Sequence, residues 1–133
     1  MRSRIIPTIP ETVLSYRIGE KSADLEAVAS ALEMKHILIP EDKAGETLGF
    51  LAGYAGFSSN SSEISADGEC VIFSGISSKR LDLLLKEMRR AGLDIPLKAV
   101  ITAHNQNQSV EWLLKELAKE HEAIAGSERR SRS

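Results

Sequence analysis

Hydrophobic and polar positions along this chain follow two rhythms, and together they mark out two strand–helix–strand units. Thr12 to Ile18 (TVLSYRI) alternates with period two, Leu14, Tyr16 and Ile18 on one face and Val13, Ser15 and Arg17 on the other, which predicts a strand. Gly19-Glu20-Lys21 reads as a turn and Ser22 as a helix cap, with Asp24 placed to complement the helix dipole. Leu25, Val28, Ala29 and Leu32 then recur at helical spacing, and His36 to Ile39 is a short apolar strand stopped by Pro40.

The second unit runs from Glu69 to Thr102. Cys70-Val71-Ile72-Phe73 is unbroken apolar sequence, as expected of a strand buried on both faces. Ser77 or Ser78 can cap the helix that follows, whose stripe is Leu81, Leu84, Leu85 and Met88. Gly92 supplies a left-handed residue to end it, Leu93 can fold back on the last turn, and Pro96 bars its resumption. Leu97 to Thr102 alternates and reads as a strand parallel to the first. Ser109 caps a last helix with Val110, Leu113, Leu114 and Leu117 on its buried stripe, fraying near Ala125-Gly126.

Between the units lies EDKAGETLGFLAGYAGF, Glu41 to Phe57, with Gly45, Gly49 and Gly53 four residues apart. On one helix they would form a smooth face, at a cost of about 1 kcal/mol per glycine relative to alanine. The plain expectation is a short helix or glycine-rich loop packed on the sheet; the sharper one is a ligand or partner helix against the glycine face. Ser58 to Gly68 reads as an exposed, mobile loop ending in an Asp67-Gly68 turn.

The predicted fold is α/β, with both units in one four-stranded, mainly parallel sheet. A ferredoxin-like α+β sandwich, with helices on one face, is the alternative if Glu41–Phe57 is only an insertion in a long hairpin. Both place the loops Ser74–Lys79 and Thr102–Asn107 on one edge, and they differ on whether Arg17, Gly19, Glu41 and Asp42 join it. Residues 1–126 form one domain. Met1 to Pro10 is expected to be extended and loose, and residues 127–133 form a disordered basic tail.

Composition narrows the function more than it defines it. The chain of 133 residues carries a net charge of −2, which gives no broad field for nucleic acid or an acidic membrane. The basic side chains Lys79, Arg80, Lys86, Arg89 and Arg90 read as a solvated helix face, without the aromatic platforms of a nucleic-acid surface. The single cysteine, Cys70, suits a reducing compartment, and neither a secretion signal nor a span-length apolar run is present, so the expected location is the cytoplasm. His36 and His121 stand apart without metal-ligand spacing, so no metal or other cofactor is predicted.

Candidate chemistry collects at the carboxyl ends of the second unit's strands, where ligands bind in open sheets. Ser74, Ser77 and Lys79 offer hydroxyls, helix-start amides and a cation that could hold an anion, although neither phosphate-loop spacing is present. Thr102, His104, Asn105 and Asn107 belong to TAHNQN, the densest polar run; its amides could read a small ligand or a peptide backbone, and His104 could carry a proton. The competing reading is helix capping by the serines and local backbone bonding by Asn105 or Asn107. No acid stands out to orient His104, so the catalytic residues are unknown.

The stretch FSGISSKRLDLLLKEMRRAGLDIPLKAVITAHNQNQSVEWLLKELAKEH resembles a family of uncharacterised bacterial proteins, a domain of unknown function common in anaerobic and Gram-positive bacteria. Its marks here are Phe73-Ser74, Leu81 to Leu85, Pro96 to Val100 with Thr102 and Asn105, and Trp112; Gly45 to Gly53 looks like a second signature. The resemblance covers most of the chain and implies a bacterial, cytoplasmic protein without a known activity, substrate or cofactor. The expectation is a small binding or regulatory module that holds a protein partner or small molecule at the predicted edge. The alternatives are an enzyme acting on an anionic or acyl substrate with His104 as acid–base, and a structural domain that forms homo-oligomers.

Overall fold

The structure is a computed structural model that describes residues 10–60 and 63–120. The expectations for Met1–Ile9, for the fraying end of the last helix and for the basic tail fall outside the described residues. Strand β1 spans Thr12–Tyr16, and every one of its residues is buried. Arg17 and Gly19 then take left-handed backbone angles, φ 56° and 58°, so the strand stops two residues before the predicted Ile18. Helix α1, Lys21–Ala31, follows directly. Ser22 does not cap it: backbone turns from Lys21 to Ile18 and from Ser22 to Gly19 start the helix earlier, at Glu20, whose side chain makes no capping bond. Strand β2, Lys35–Ile39, returns parallel to β1, with Val13 beside His36 and Ser15 beside Leu38.

The second unit is as expected in its elements. Strand β3 is Cys70–Ser74, helix α3 is Ser78–Arg90 and strand β4 is Lys98–Val100, parallel to β3. Ser77 caps α3 by accepting the Arg80 amide at 3.3 Å. The helix closes as a Schellman motif: Leu93 N–H reaches Met88 O at 2.9 Å, Gly92 N–H reaches Arg89 O at 3.0 Å, and Gly92 has φ 75°. A further helix, α4, covers 110–120 and is capped by Ser109, which accepts the Trp112 amide at 3.1 Å.

The sheet order is β2-β1-β3-β4, and the central pair β1–β3 is antiparallel. The sheet is therefore mixed, not mainly parallel, and its strand order is not ferredoxin-like either, because each unit keeps its two strands adjacent. The reason lies in the connection from β2 to β3. Tyr16 at the end of β1 donates its hydroxyl to Glu41 O at 2.6 Å and accepts the Ala66 amide at 3.0 Å. Both ends of the long segment are thus held at the same end of the sheet, as in a hairpin, and β3 must run back. The helix within it, α2, is only Leu48–Leu51, too short to be a crossover.

Both faces of the sheet are covered. Val13, Val71 and Phe73 pack with Leu25, Ala29, Leu84 and Met88 of α1 and α3. Leu14, Tyr16, Cys70 and Ile72 pack on the other face with Leu48, Val110, Leu113 and Leu114. The ferredoxin alternative, with one open face, is excluded by this second layer. Two-sided burial explains why β3 reads as a continuous apolar run.

The glycine face does not form. Gly45 precedes α2 and Gly53 follows it. A Cβ on Gly49 would lie 2.7 Å from the Phe57 ring, and one on Gly45 would lie 3.0 Å from Ile64 Cδ1. The chain's own side chains occupy the space that a ligand or partner helix would need. Within the stretch expected to be a mobile loop, Ser59, Asn60 and Ile64 are likewise anchored. Ser59 Oγ donates to the buried Glu46 carboxylate at 2.5 Å, the Asn60 amide does so at 2.9 Å, and Ile64 bridges to Lys43.

Candidate functional site

Because β3 and β4 are parallel, the loops after them share one end of the sheet. Ile101 N–H bonds to Phe73 O at 2.9 Å, and α2 joins the same end: the Leu48 and Gly49 amides reach Gln108 O and Gln106 O, each at 2.9 Å. The antiparallel β1–β3 pair sends Arg17, Gly19, Glu41 and Asp42 to the opposite end.

Several of the predicted residues are engaged in holding this end together. Ser74 is fully buried, and its hydroxyl lies 2.7 Å from Tyr54 OH. Ser77 is the α3 cap. Thr102 Oγ1 accepts the amides of His104 and Asn105, each at 3.2 Å. Asn105 Oδ1 accepts the Thr102 amide at 2.8 Å, and its Nδ2 donates to Val100 O at 3.0 Å. The Thr102–Asn105 run is thus a turn closed by its own side chains, as the local-bonding reading expected. Lys79, His104 and Asn107 are exposed. Among the described residues, no hydrogen bond joins the His104 ring to Ser74, Ser77 or Ser78. The three serines and His104 therefore do not make a nucleophile–base pair.

Beside this turn lies a groove of about 350 Å³ between β4 and α4. His104 and Asn105 line one end, Trp112, Leu113 and Leu117 give it an apolar wall, and Lys98, Lys119 and Glu120 stand around it. Lys119 pairs with Glu116 at 3.2 Å. The lining has both signs of charge, an aromatic ring and one histidine.

Other polar groups are accounted for by structure. Arg80 binds Glu11 through two hydrogen bonds, 3.0 and 2.7 Å, and donates to Leu32 O at 2.7 Å, so one of the basic-face residues fastens α3 to the start of β1 and the end of α1. The Arg80 hydrogen bond holds the Glu11 carboxyl below its ordinary value. Cys70 is fully buried, and burial pushes its thiol up to about 12, which makes it inert core. Among the described residues, no group of three or more His, Cys, Asp or Glu side chains could hold a metal ion, and no helix is long and apolar enough to cross a membrane.

One constellation was not anticipated. His36, whose side chain is 1% exposed, lies between Ser15 Oγ, 2.9 Å from its Nε2, and Glu26 Oε1, 2.9 Å from its Nδ1. Each residue comes from a different element of the first unit: β1, β2 and the helix that crosses over them. The only sequence signal was positional. His36 shares a face with Ser15 once the two strands pair in parallel, and α1 is then the element above them.

Residues 69–124 match a family model described as a domain of unknown function (DUF3783). The match takes in β3, α3, β4 and α4, hence the turn and the groove. The glycine-rich segment and the Ser15–His36–Glu26 trio lie outside it. No curated protein and no solved structure matches the chain.

Proposed function

We propose that the chain is a small binding module that holds a short segment of a protein partner in the groove between β4 and α4. The observation that carries this reading is the lining of the groove. An aromatic and aliphatic wall of Trp112, Leu113 and Leu117 sits within a rim of lysines, glutamates and His104. An apolar centre with a polar, wet rim is the usual composition of a protein-binding patch. All of these residues lie within the family match, as do both loops of the predicted edge. Most of the titratable groups at this end are solvated, and its serines are committed to caps and packing, which favours binding over catalysis here.

The partner docks by its side chains. Adding a strand to β4 is hindered at its carboxyl end, where Asn105 already occupies Val100 O and the Thr102 amide. The test is selection of peptides from a displayed random library against the folded chain, followed by mapping of amide shifts. The expected result is shifts at residues 98–105 and 109–117, with binding weakened at least tenfold by Trp112→Ala and by Lys98→Glu. Selected peptides that map elsewhere, or that bind both variants as tightly, would overturn the reading.

A further inference from the structure

We infer that Ser15, His36 and Glu26 form a nucleophile, base and orienting acid for acyl transfer, on the face of the sheet opposite the groove. A carboxylate can only accept, so the proton between Glu26 and His36 resides on Nδ1. In the neutral form of the ring Nε2 carries the lone pair and can accept from Ser15 O–H, 2.9 Å away. This is the polarity required of a serine activated by a histidine. Glu26 is itself oriented, because Ser30 Oγ donates to its second oxygen at 3.1 Å.

Ser15, itself only 1% exposed, borders a pocket of about 260 Å³ with Ile18, Gly19, Ser22 and Pro40, and His36 lies behind it, outside the pocket lining. The pocket sits beyond the carboxyl ends of the parallel strands β1 and β2, and the left-handed turn at Arg17 and Gly19 bends the chain around its mouth. Arg17 also lines it but is paired with Glu41 at 2.9 Å, so the pocket offers no unpaired cation for an anionic acyl group. Its size and lining fit an uncharged ester with a short acyl chain.

The step balances without a co-reactant other than water. Ser15 Oγ bonds to the ester carbonyl carbon as its proton passes to Nε2. The carbonyl electron pair moves onto oxygen and returns as the bond to the alcohol oxygen breaks, and that oxygen takes the proton from Nε2. Water then attacks the acyl-serine by the same route and releases the acid, restoring Ser15.

The experiment treats the full chain with a small alkyl fluorophosphonate and, separately, with 4-nitrophenyl acetate. The expected result is one phosphonyl adduct, located on Ser15 by peptide mass. It is absent in Ser15→Ala and forms about 100-fold more slowly in His36→Gln, the usual scale for loss of a general base. Glu26→Gln retains an acceptor for Nδ1–H and is expected to slow the reaction less. Acetate ester turnover should fall in the same order. Absence of a Ser15 adduct on the folded wild-type chain overturns the inference whatever the variants do. So does an adduct that forms at an unchanged rate in a His36→Gln chain with native circular dichroism.

Discussion

Asn105 stands against Val100 as a neighbouring strand would. Its Nδ2 donates to Val100 O while its Oδ1 accepts the Thr102 amide, the two bonds that a parallel strand would make around Ile101. A side chain thus closes the carboxyl end of β4, an edge strand whose backbone would otherwise be open to pairing.

Replacing Asn105 separates these two bonds. Asn105→Ala should lower stability by about 0.5–1.5 kcal/mol, the net worth of such bonds where water can replace them. Asn105→Asp keeps an acceptor for Thr102 but sets a carboxylate oxygen against Val100 O. Amide exchange at Thr102 should therefore be fast in the alanine variant and slow in the aspartate one, while chemical denaturation shows both destabilised.

Tyr16→Phe removes one hydroxyl and leaves two backbone groups, Glu41 O and Ala66 N–H, without their partner. The expected loss is about 1–3 kcal/mol. Exchange should quicken at Ala66 and across the 41–68 connection before it does so in β1 or β3. Uniform quickening across the sheet would mean that the hydroxyl does not specifically hold the connection.

Glu46 is buried, and its carboxyl is held below the ordinary value of 4.5 chiefly by the Ser59 hydroxyl, against the opposing effect of burial, with help from the Asn60 amide and Lys43. A carboxyl lowered on folding contributes stability above that ordinary value and loses it as pH falls through the folded one. Glu11 acts in the same direction through Arg80. Denaturation measured between neutral pH and pH 3 should therefore show falling stability, with a shallower fall in Glu46→Gln and a shallower one still when Glu11→Gln is added.

Gly49→Ala brings a methyl group to 2.7 Å from the Phe57 ring and should cost about 1–3 kcal/mol by overpacking. Gly45→Ala meets the movable end of Ile64 at 3.0 Å and should cost less. A Phe57→Leu change should recover part of the Gly49→Ala loss, read as a non-additive double-mutant cycle.

The elements of the second unit were legible because each signal is local: Ser77, Gly92 and Ser109 cap and close helices through bonds to residues within five positions. The placement of Ser74–Lys79 and Thr102–Asn107 at one end followed from a single parallel pairing. The direction of β3 was not legible. It depends on Tyr16 reaching Glu41 and Ala66, contacts far apart in sequence that leave no periodic trace. The Ser15–His36–Glu26 trio was hidden for the same reason. In the sequence His36 stands isolated because its partners come from two other elements, whereas the polar neighbours of His104 make it the more conspicuous base.

The reversal at the β1–β3 pair gives the molecule two chemically different poles. Five-residue strands separate them by roughly 16 Å. The β4–α4 groove and the Ser15 pocket lie on opposite faces and toward opposite edges of the sheet, so a partner in one need not compete with a small molecule in the other. A tether, label or fused domain attached at one pole leaves the other approachable, which makes the two ends separately addressable in a single small chain.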